Sequence, residues 1–222
     1  MVAAALIVIT GVLAYANSLR GPFVFDDPSS ITTNPTIRRL WPFWEPFTPP
    51  RAAVTVQGRP VLNFSLALNY AIGGEAVHSY HALNLAIHLG AALTFFGLVR
   101  RTLLLPTIHA RCRQHALGLA LTTTLLWVAH PLQTQAVTYV IQRAESLMGL
   151  FYLLTLYGFI RGAGAVSPTR WLGLSVVAAY LGMATKEVMV TVPVVVLCYD
   201  RAFVAGSFRA AWQTRRIYYV GL

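Results

Sequence analysis

The chain of 222 residues is 56% hydrophobic and only 11% charged, and its formal net charge is +10. Soluble domains carry about a quarter charged residues, so this composition predicts an integral membrane protein. The basic residues cluster between apolar segments, which is typical of membrane loops and argues against a nucleic-acid partner. Two cysteines, Cys112 and Cys198, provide no disulfide framework.

Apolar segments recur along the chain as expected for an all-α polytopic membrane protein. The first has no basic start, so it predicts a first span rather than a cleavable signal peptide. A straight span needs about 20 residues, and only the second segment approaches this, so the shorter ones are expected inside a bundle. A further apolar run begins at 217, which predicts the N-terminal part of a longer protein. The candidate spans lie near 2–16, 80–99, 116–129, 147–160, 171–184 and 188–199.

Arginine is concentrated in alternate connections, which the positive-inside rule places in the cytoplasm. The long loop 17–79, the segment 130–146 and the turn at Lys186–Glu187 are then extracytoplasmic. Of the seven acidic residues only Asp200 falls on the inner side, which suggests a polar outer face. Lys186 is the sole lysine, so arginine is in large excess over lysine. That excess indicates a GC-rich bacterial genome and therefore a bacterial inner membrane. The predicted site would then face the periplasm. The cytoplasmic arginines are Arg100, Arg101, Arg111, Arg113, Arg161, Arg170, Arg201, Arg209, Arg215 and Arg216.

The long outer loop has an organisation of its own. Its first half is rich in Pro and Trp, and Trp41 and Trp44 are expected at the level of the lipid headgroups. An interfacial helix is predicted from Pro60 to the Gly73–Gly74 pair. The apolar face of that helix comprises Val61, Phe64, Leu68 and Ile72. The arginines of the loop are Arg20, Arg38, Arg39, Arg51 and Arg59.

The adjacent acids Asp26 and Asp27 are the first candidate for chemistry. A carboxylate near a bilayer surface can act as general base to an incoming hydroxyl, while its neighbour binds or orients. The alternative is a turn before Pro28 that has no chemical role.

The segment 130–146 is a second candidate. A helix there would hold Gln142, Arg143 and Glu145 close to the fourth span. It could equally be an interfacial helix whose polar groups are simply solvated.

Lys186 stands between two segments that are too short to span, so it is expected below the outer surface. Ionisable groups at membrane depth suggest function, and an ammonium suits a phosphate oxygen. The alternative is an internal Lys–Glu pair or a lysine that reaches out to water.

His81, Asn84 and His88 share one face of the second span. We expect this stripe to face the bundle and to bond neighbouring helices rather than to hold a metal.

Together the polar outer residues suit transfer of a group from a lipid-phosphate donor. They offer a base and cations for the phosphate, and the residues around them are apolar. They are Asp26, Asp27, Arg59, His130, Arg143, Glu145, Lys186 and Glu187.

The same residues carry a family resemblance. The stretches YANSLRGPFVFDD, GRPVLNFSLALNY, YHALNLAIHL, AHPLQTQAVTYVIQRAESL and ATKEVMVTVPVVVLCYD resemble the membrane part of the transmembrane-and-tetratricopeptide-repeat proteins. That group includes O-mannosyltransferases and belongs to the type-C glycosyltransferases, which use polyprenyl-phosphate sugars. No tetratricopeptide pattern occurs in these residues.

The resemblance implies a type-C helix bundle and a role for each candidate residue. Asp26 would be the base, supported by Asp27. Lys186 would neutralise the donor phosphate with help from Arg59 or Arg143, and His81, His130, Glu145 and Glu187 would be supporting polar groups. The resemblance implies no metal and no cofactor, since the polyprenyl-phosphate sugar, such as a mannose donor, is a substrate. The partners would be that donor, membrane lipid and an acceptor protein or glycan.

Two other functions remain open at this stage. A lipid-linked-sugar transporter would use the same polar bundle without a base. A non-catalytic scaffold would only anchor a C-terminal repeat domain. The first would lose transport when Lys186 is replaced, and the second would tolerate replacement of Asp26 and Lys186.

Overall fold

The computed structural model describes residues 1–50 and 55–222, and every regular element in them is helical. Arg51 of the predicted outer loop lies outside the described residues. The α-helices are α1 (Val2–Tyr15), α2 (Pro60–Gly73), α3 (Val77–Leu103), α4 (Ala110–Gln114), α5 (Ala116–Val128), α6 (Thr134–Thr138), α7 (Arg143–Ala163), α8 (Pro168–Met183), α9 (Val192–Tyr199) and α10 (Phe208–Gly221). Short 3-10 or π-helical segments cover Ala16–Arg20, Pro28–Thr32, Pro35–Ile37, Glu45–Phe47, Pro131–Gln133, Val140–Gln142, Glu187–Thr191 and Asp200–Ala205.

Four helical segments in the described part are long and apolar enough to cross a membrane: Val2–Arg20, Val77–Leu103, Val140–Ala163 and Glu187–Ala205. A shorter apolar helix covers Ala116–Val128. The chain is therefore an all-α polytopic membrane protein, as its composition predicts.

Two predicted segments near the end of the chain differ from the observed helices. The span predicted at 188–199 is shorter than the observed helical segment, because 3-10 and π-helical turns extend that segment to Glu187–Ala205. The apolar run expected to begin at 217 is the second half of α10, which already begins at Phe208 and kinks at Arg215 (φ −132°). Both boundaries were missed because polar residues continue these helices beyond their apolar stretches.

Helix α3 is central in the bundle, with α1, α5 and α7 packed around it, and α7 packs in turn against α8. Glycines allow the close approach of α7 and α8. A Cβ atom added at Gly158 would lie 3.0 Å from the Ser175 Cβ, and one added at Gly162 would lie 2.7 Å from the Leu172 Cδ2. Small residues at such crossings let membrane helices gain van der Waals contact that larger side chains would prevent.

We call the two ends of the bundle the loop end and the arginine end. The loop end contains the segments 16–50, 55–76, 129–142 and 184–187. The arginine end contains the last turn of α3, with Arg100 and Arg101, and the helices α4 and α10.

The loop end has a hydrophobic core of its own. Ile31, Ile37 and Val56 from the loop are fully buried against Leu62 and Leu66 of α2, together with Tyr80 of α3 and Val140–Ile141 before α7. Each such side chain contributes about 1.5–3 kcal/mol on burial. The loop is therefore a packed layer that can hold side chains in fixed positions.

Helix α2 covers the helix predicted from Pro60 to the Gly73–Gly74 pair, and it also has a buried face that was not predicted. Leu62, Leu66 and Ala67 are fully buried, as is Asn63. Asn63 accepts from Asn34 at 2.9 Å and donates to the Pro46 carbonyl at 2.8 Å. The predicted apolar face points outward, with Leu68 40% and Ile72 85% exposed, as an interfacial helix requires. An outward apolar face agrees with contact to lipid rather than to the protein core.

Candidate active site

The chain turns sharply at Asp26–Asp27, directing one carboxylate outward and the other inward. Phe25 has φ 48°, the one positive φ of a non-glycine residue in the described part of the chain. Such a backbone costs a bulky residue about 1–3 kcal/mol. Its ring packs edge-on against Tyr139, with centroids 5.8 Å apart, and the Tyr139 hydroxyl accepts the Asp26 N–H at 3.0 Å. These contacts hold the strained turn in place.

Asp27 is the inward carboxylate and is fully buried. Its Oδ2 accepts the Val24 N–H at 3.0 Å, and its Oδ1 accepts the Ile141 N–H at 2.9 Å. Burial raises the pKa of Asp27, the two N–H groups oppose that rise, and the Asp26 charge adds to it. Asp27 therefore ties the first loop to the segment before α7 and supports its neighbour.

Asp26 is the outward carboxylate and is exposed. Its Oδ2 accepts the Thr55 hydroxyl at 3.0 Å. Among the described residues no cation forms an ion pair with Asp26, so lone pairs of its carboxylate are free to accept a proton.

A short series of contacts leads from Thr55 to the turn before α9. The Thr55 carbonyl accepts from Arg59 Nη1 at 3.1 Å, and Arg59 Nη2 lies 3.3 Å from the Glu187 carboxylate. The Val61 N–H also donates to the Ala184 carbonyl at 3.1 Å. The first loop and the 184–187 turn therefore lie side by side at the loop end.

Lys186 donates through its ammonium to the Glu145 carboxylate on α7. The Lys186 side chain is 17% exposed and that of Glu145 is 39% exposed. Glu145 forms part of a cavity wall, so this ion pair places the lysine charge at the edge of a cavity.

Three cavities share walls at the loop end and along the bundle. The polar cavity has a volume of about 380 Å³ and is lined by Gln133, Gln135, Gln142, Glu145 and Ser146, and by His88, Ala91, Trp127, Leu132, Ala136 and Gly149. The outer groove, of about 530 Å³, is lined by Val24, Phe25, Pro131, Leu132, Thr134, Gln135, Thr138 and Tyr139. The apolar groove, of about 410 Å³, is lined by Phe95, Trp127, Met148, Gly149, Tyr152, Leu153, Val188 and Thr191.

The polar cavity is the middle one of the three. It shares Leu132 and Gln135 with the outer groove. It shares Trp127 and Gly149 with the apolar groove. A ligand with an apolar chain, a polar middle and an exposed end could therefore occupy all three together.

The structure corrects the phosphate-binding role expected for Arg143. Its side chain is fully buried, with Nε donating to Asn84 at 2.6 Å and Nη2 donating to Asn69 at 2.8 Å. The carbonyls of Ser65 and Tyr80 accept the remaining bonds at 3.2 and 3.1 Å. Arg143 therefore joins α2, α3 and α7 from within and lines none of the three cavities.

The helix predicted within 130–146 to hold Gln142, Arg143 and Glu145 is also broken. Tyr139 has an extended backbone (φ −92°, ψ 117°), which separates α6 from the turn that leads into α7. The break turns Arg143 inward and leaves Gln142 and Glu145 at the polar cavity.

His81 and His130, predicted as supporting polar groups, make local contacts. His81 is buried, and its Nε2 lies 3.2 Å from the Gly21 carbonyl. His130 is exposed and accepts the Leu132 N–H through Nδ1 at 3.2 Å. Both lie at the loop end, and neither lines one of the three cavities.

The polar stripe of the second span faces the bundle as predicted. His88 Nε2 lies 2.9 Å from the Val128 carbonyl on α5. Asn84 donates to the Val140 carbonyl at 3.1 Å while its Oδ1 accepts from Arg143. The described residues contain no group of three or more His, Cys, Asp or Glu that could hold a metal ion, and the metal-free site stays a prediction.

Sequence reasoning missed Tyr139 and Thr55, which hold the two sides of Asp26. Tyr139 lies 113 positions from Asp26 along the chain, and a tyrosine or threonine in a polar loop is an ordinary residue. The one available signal for Tyr139 was its place between two short helical patterns, next to the residues predicted to be functional.

The fold and these contacts define a helical membrane protein with an exposed acid, an internal acid and a cation-bearing cavity at one end. Comparison with known proteins then shows which proteins it resembles. The chain is 31% identical to protein O-mannosyl-transferase TMTC1 of Mus musculus, over 89% of this chain and 22% of that protein. It is 29% identical to TMTC3 of Homo sapiens, over 87% of this chain and 21% of that protein.

A third relative, protein O-mannosyl-transferase TMTC4 of Homo sapiens, is 28% identical over 82% of this chain and 27% of that protein. The chain is thus similar to the O-mannosyl-transferases of this group over most of its length, which confirms the resemblance predicted from its motifs. It spans between about a fifth and about a quarter of these relatives. No family model and no solved structure matches it.

Proposed function

We propose that the whole protein is a membrane glycosyltransferase that moves a sugar from a polyprenyl-phosphate carrier to a hydroxyl of an acceptor protein. The observation that carries the proposal is that two charged groups stand beside connected cavities at one end of the bundle. Asp26 is bonded through its N–H to Tyr139, which lines the outer groove, and Lys186 is paired with Glu145, which lines the polar cavity. The names of the relatives support sugar transfer to protein. The arginines of the opposite end support a site that faces away from the cytoplasm, at the periplasmic side of a bacterial inner membrane.

Asp26 is the proposed general base. It follows Phe25, which lines the outer groove, and its N–H is held by Tyr139 on the same wall. The acceptor hydroxyl gives its proton to the Asp26 carboxylate while its oxygen bonds to C1 of the sugar. The bond between C1 and the phosphate oxygen breaks, and polyprenyl phosphate leaves with the electron pair. A positioned base typically contributes about 10²–10⁴-fold to such a step.

Lys186 is the proposed partner of the donor phosphate. Its ammonium is a compact charge that stabilises the negative oxygen of the leaving phosphate. Glu145 holds this ammonium before the donor binds, and a partly exposed pair of this kind is worth only about 0–1 kcal/mol, so a phosphate can join or replace it. Arg59, in a long contact with the 72% exposed Glu187, is a second cation nearby.

The apolar groove supports a prenyl chain as the carrier. Phe95, Met148 and Val188 line it, and it opens beside the polar cavity through Trp127 and Gly149. A prenyl chain that enters this groove from the membrane exchanges contacts with lipid tails for van der Waals contacts with these side chains. A lipid carrier thus brings its sugar phosphate to the polar cavity from within the membrane.

The test is transfer by the purified full-length protein from a panel of polyprenyl-phosphate sugars to an acceptor peptide rich in Ser and Thr. We expect transfer from at least one donor. Lys186→Met should raise the KM for that donor about tenfold or more, the result of losing one charge-assisted contact. Arg209→Met, which removes an exposed cation at the arginine end, is the matched control and should leave the KM unchanged.

Other outcomes would point elsewhere. Movement of the intact donor across the membrane without transfer would establish a transporter. Absence of both transfer and donor movement across the panel would favour a scaffold. An unchanged KM in Lys186→Met would remove Lys186 from the donor site while leaving the transferase assignment in place.

A further inference from the structure

We infer that the arginine end carries a binding site for an anionic phospholipid, with its headgroup at Arg101 and Arg161 and an acyl chain in a groove between α7 and α8. The inference goes beyond the proposed function and does not rest on it. It concerns side chains at the end of the bundle opposite the candidate active site.

Two arginines from different helices converge on one tyrosine. Arg161, in the last turn of α7, donates to the Tyr157 hydroxyl at 3.2 Å, and its guanidinium lies 5.8 Å from the centre of the Tyr157 ring. Arg101, in the last turn of α3, places its guanidinium 5.7 Å from the centre of the same ring. The fold therefore gathers two positive charges around one side chain.

Neither guanidinium has an anionic partner among the residues that the structure describes. The cations that form ion pairs there are Arg38, Arg39, Arg59, Lys186 and Arg215. Arg101 and Arg161 are also half-buried, so water screens their mutual repulsion less than it would at an exposed surface. An anion beside both would relieve that repulsion, and the planar fork of a guanidinium fits phosphate oxygens.

Trp171 fixes the position of Arg161. The guanidinium lies 4.0 Å from the centre of the Trp171 ring, which is in the first turn of α8, and cation–π attraction favours this arrangement. Tryptophan at the end of a span is typical of the level of the lipid headgroups. Arg161 is therefore held at the depth where a phospholipid carries its phosphate.

Other arginines of this end are arranged differently. Arg100, Arg113 and Arg170 are exposed, and within the described part of the chain their side chains make no hydrogen bond, ion pair or cation–π contact. Such side chains are solvated cations of a membrane loop. Arg101 and Arg161 differ from them because aromatic residues hold both in place.

An apolar groove leads from this pair of arginines along the bundle. It has a volume of about 240 Å³ and lies between α7 and α8, with Tyr157 and Trp171 in its wall at the arginine end. Phe151 also lines it, six positions before Tyr157, which is about 9 Å along the helix. Leu174 and Val177 line its α8 side and are 58% and 54% exposed, so the groove is open to the membrane. An acyl chain can enter it sideways and gain van der Waals contacts.

The two parts together identify the occupant. A pair of cations alone would fit any anion, and an apolar groove alone would fit any lipid. Their junction fits a molecule in which a negative headgroup is joined to an acyl chain, as in phosphatidylglycerol, and basic pockets between membrane helices bind headgroups of this kind. A zwitterionic headgroup offers the same phosphate but adds a cation, which the two arginines would repel.

The experiment measures lipid binding to the full-length protein in detergent by native mass spectrometry, using phosphatidylglycerol and phosphatidylcholine with the same acyl chains. We expect the wild type to bind the first phosphatidylglycerol about tenfold more tightly than phosphatidylcholine. Arg101→Met and Arg161→Met should each weaken phosphatidylglycerol binding about five- to tenfold, the effect of one cation beside a lipid phosphate. Binding of phosphatidylcholine should change less than about twofold in both variants.

Three further measurements separate this site from general attraction and from loss of the fold. Arg100→Met removes the same charge from the neighbouring position of α3 and should leave phosphatidylglycerol binding unchanged. Val177→Trp fills the groove from its membrane side and should weaken the binding of both lipids. Arg101→Met should keep the wild-type unfolding temperature in lipid-free detergent, because Arg101 is held only by its contact with the Tyr157 ring in the described chain.

Four results would overturn the inference. They are equal wild-type binding of the two lipids, equal losses in Arg100→Met and Arg101→Met, no loss in either site variant, and displacement of phosphatidylglycerol by soluble glycerol phosphate at the same concentration. The second would indicate general surface attraction, and the fourth would indicate a site for free anions. The proposed function survives all four, because its site lies at the loop end.

Discussion

The two ends of the bundle use similar charged groups in different ways. At the arginine end, Asp200 is fully buried, and both its oxygens accept from Arg215 at 3.0 Å while the Tyr219 hydroxyl donates at 2.6 Å. At the loop end, Asp26 is exposed and accepts from the neutral Thr55. The comparison teaches that a carboxylate in this protein is available for chemistry only where the fold leaves it without a full set of partners.

The same distinction separates two cations within the loop end. Arg143 is fully buried and every donor nitrogen of its guanidinium is bonded to protein. Lys186 is partly exposed and has one carboxylate partner at a cavity edge. Three substitutions and one pH measurement follow from this comparison, and each tests whether a group stabilises the fold or serves the site.

Arg143→Met should have the largest effect on stability. The substitution removes the donor from four acceptors, which are the side-chain oxygens of Asn69 and Asn84 and the carbonyls of Ser65 and Tyr80. Each acceptor that finds no new partner lowers the free energy of unfolding by about 1–3 kcal/mol. We expect a total loss of about 3–5 kcal/mol in the free energy of unfolding, measured by denaturant titration in detergent micelles. Arg216→Met, an exposed arginine in α10, is the control and should change stability by less than about 0.5 kcal/mol. A loss below about 1 kcal/mol for Arg143→Met would contradict the role described here.

Arg215→Met tests the closed network of the arginine end. Removing the guanidinium leaves the buried Asp200 charge with only the Tyr219 hydroxyl, and breaking such a pair costs about 3 kcal/mol. Glycosyl transfer per folded molecule should stay at the wild-type level, because this network lies at the opposite end. A large fall in that specific activity would show that the two ends are coupled.

Asp27→Asn should have an intermediate effect on stability. Both Asp27 oxygens accept backbone N–H groups, and an asparagine has one oxygen, so its NH₂ group would face either the Val24 or the Ile141 N–H. We expect a loss of about 1–3 kcal/mol in the free energy of unfolding. Asp26→Asn in the same assay is the paired control. Equal losses in the two variants would mean that the aspartates do not have separate roles.

The pH dependence of stability should show the smallest effect. Burial raises the pKa of Asp27 above its usual 3.8, so the folded chain holds this proton more tightly than the unfolded chain does. The free energy of unfolding should therefore fall as pH rises from about 3.8 to the higher folded value, by at most about 1.4 kcal/mol per pH unit. Subtracting the curve of Asp27→Asn from that of the wild type isolates this slope. A flat or rising difference would contradict the raised pKa.

The helices and the outer site could be predicted where the signal is local. Apolar segments mark the spans, and the spacing of His81, Asn84 and His88 places them on one helix face, which the structure buries. The acid pair was found because Asp26 and Asp27 stand out in an apolar chain. These inferences need only neighbouring residues and a helical period.

The rest could not be predicted because it depends on distant partners. Arg143 is buried because Asn69 and Asn84, 74 and 59 positions away, supply its acceptors. The buried face of α2 was missed because Leu62 and Leu66 pack against side chains of the first loop, which are distant along the chain. The break at Tyr139 likewise depends on contacts with the first loop.

The most direct test of the account is single-turnover transfer by full-length Asp26→Asn protein that has been saturated with donor. Donor affinity should match the wild type, and transfer should be slower by about 10²–10⁴-fold, because the base is lost while the phosphate site remains. Glu75→Gln, which changes an exposed loop carboxylate paired with Arg38 at 2.8 Å, is the matched control and should transfer at the wild-type rate. Transfer at the wild-type rate by Asp26→Asn would contradict the central claim.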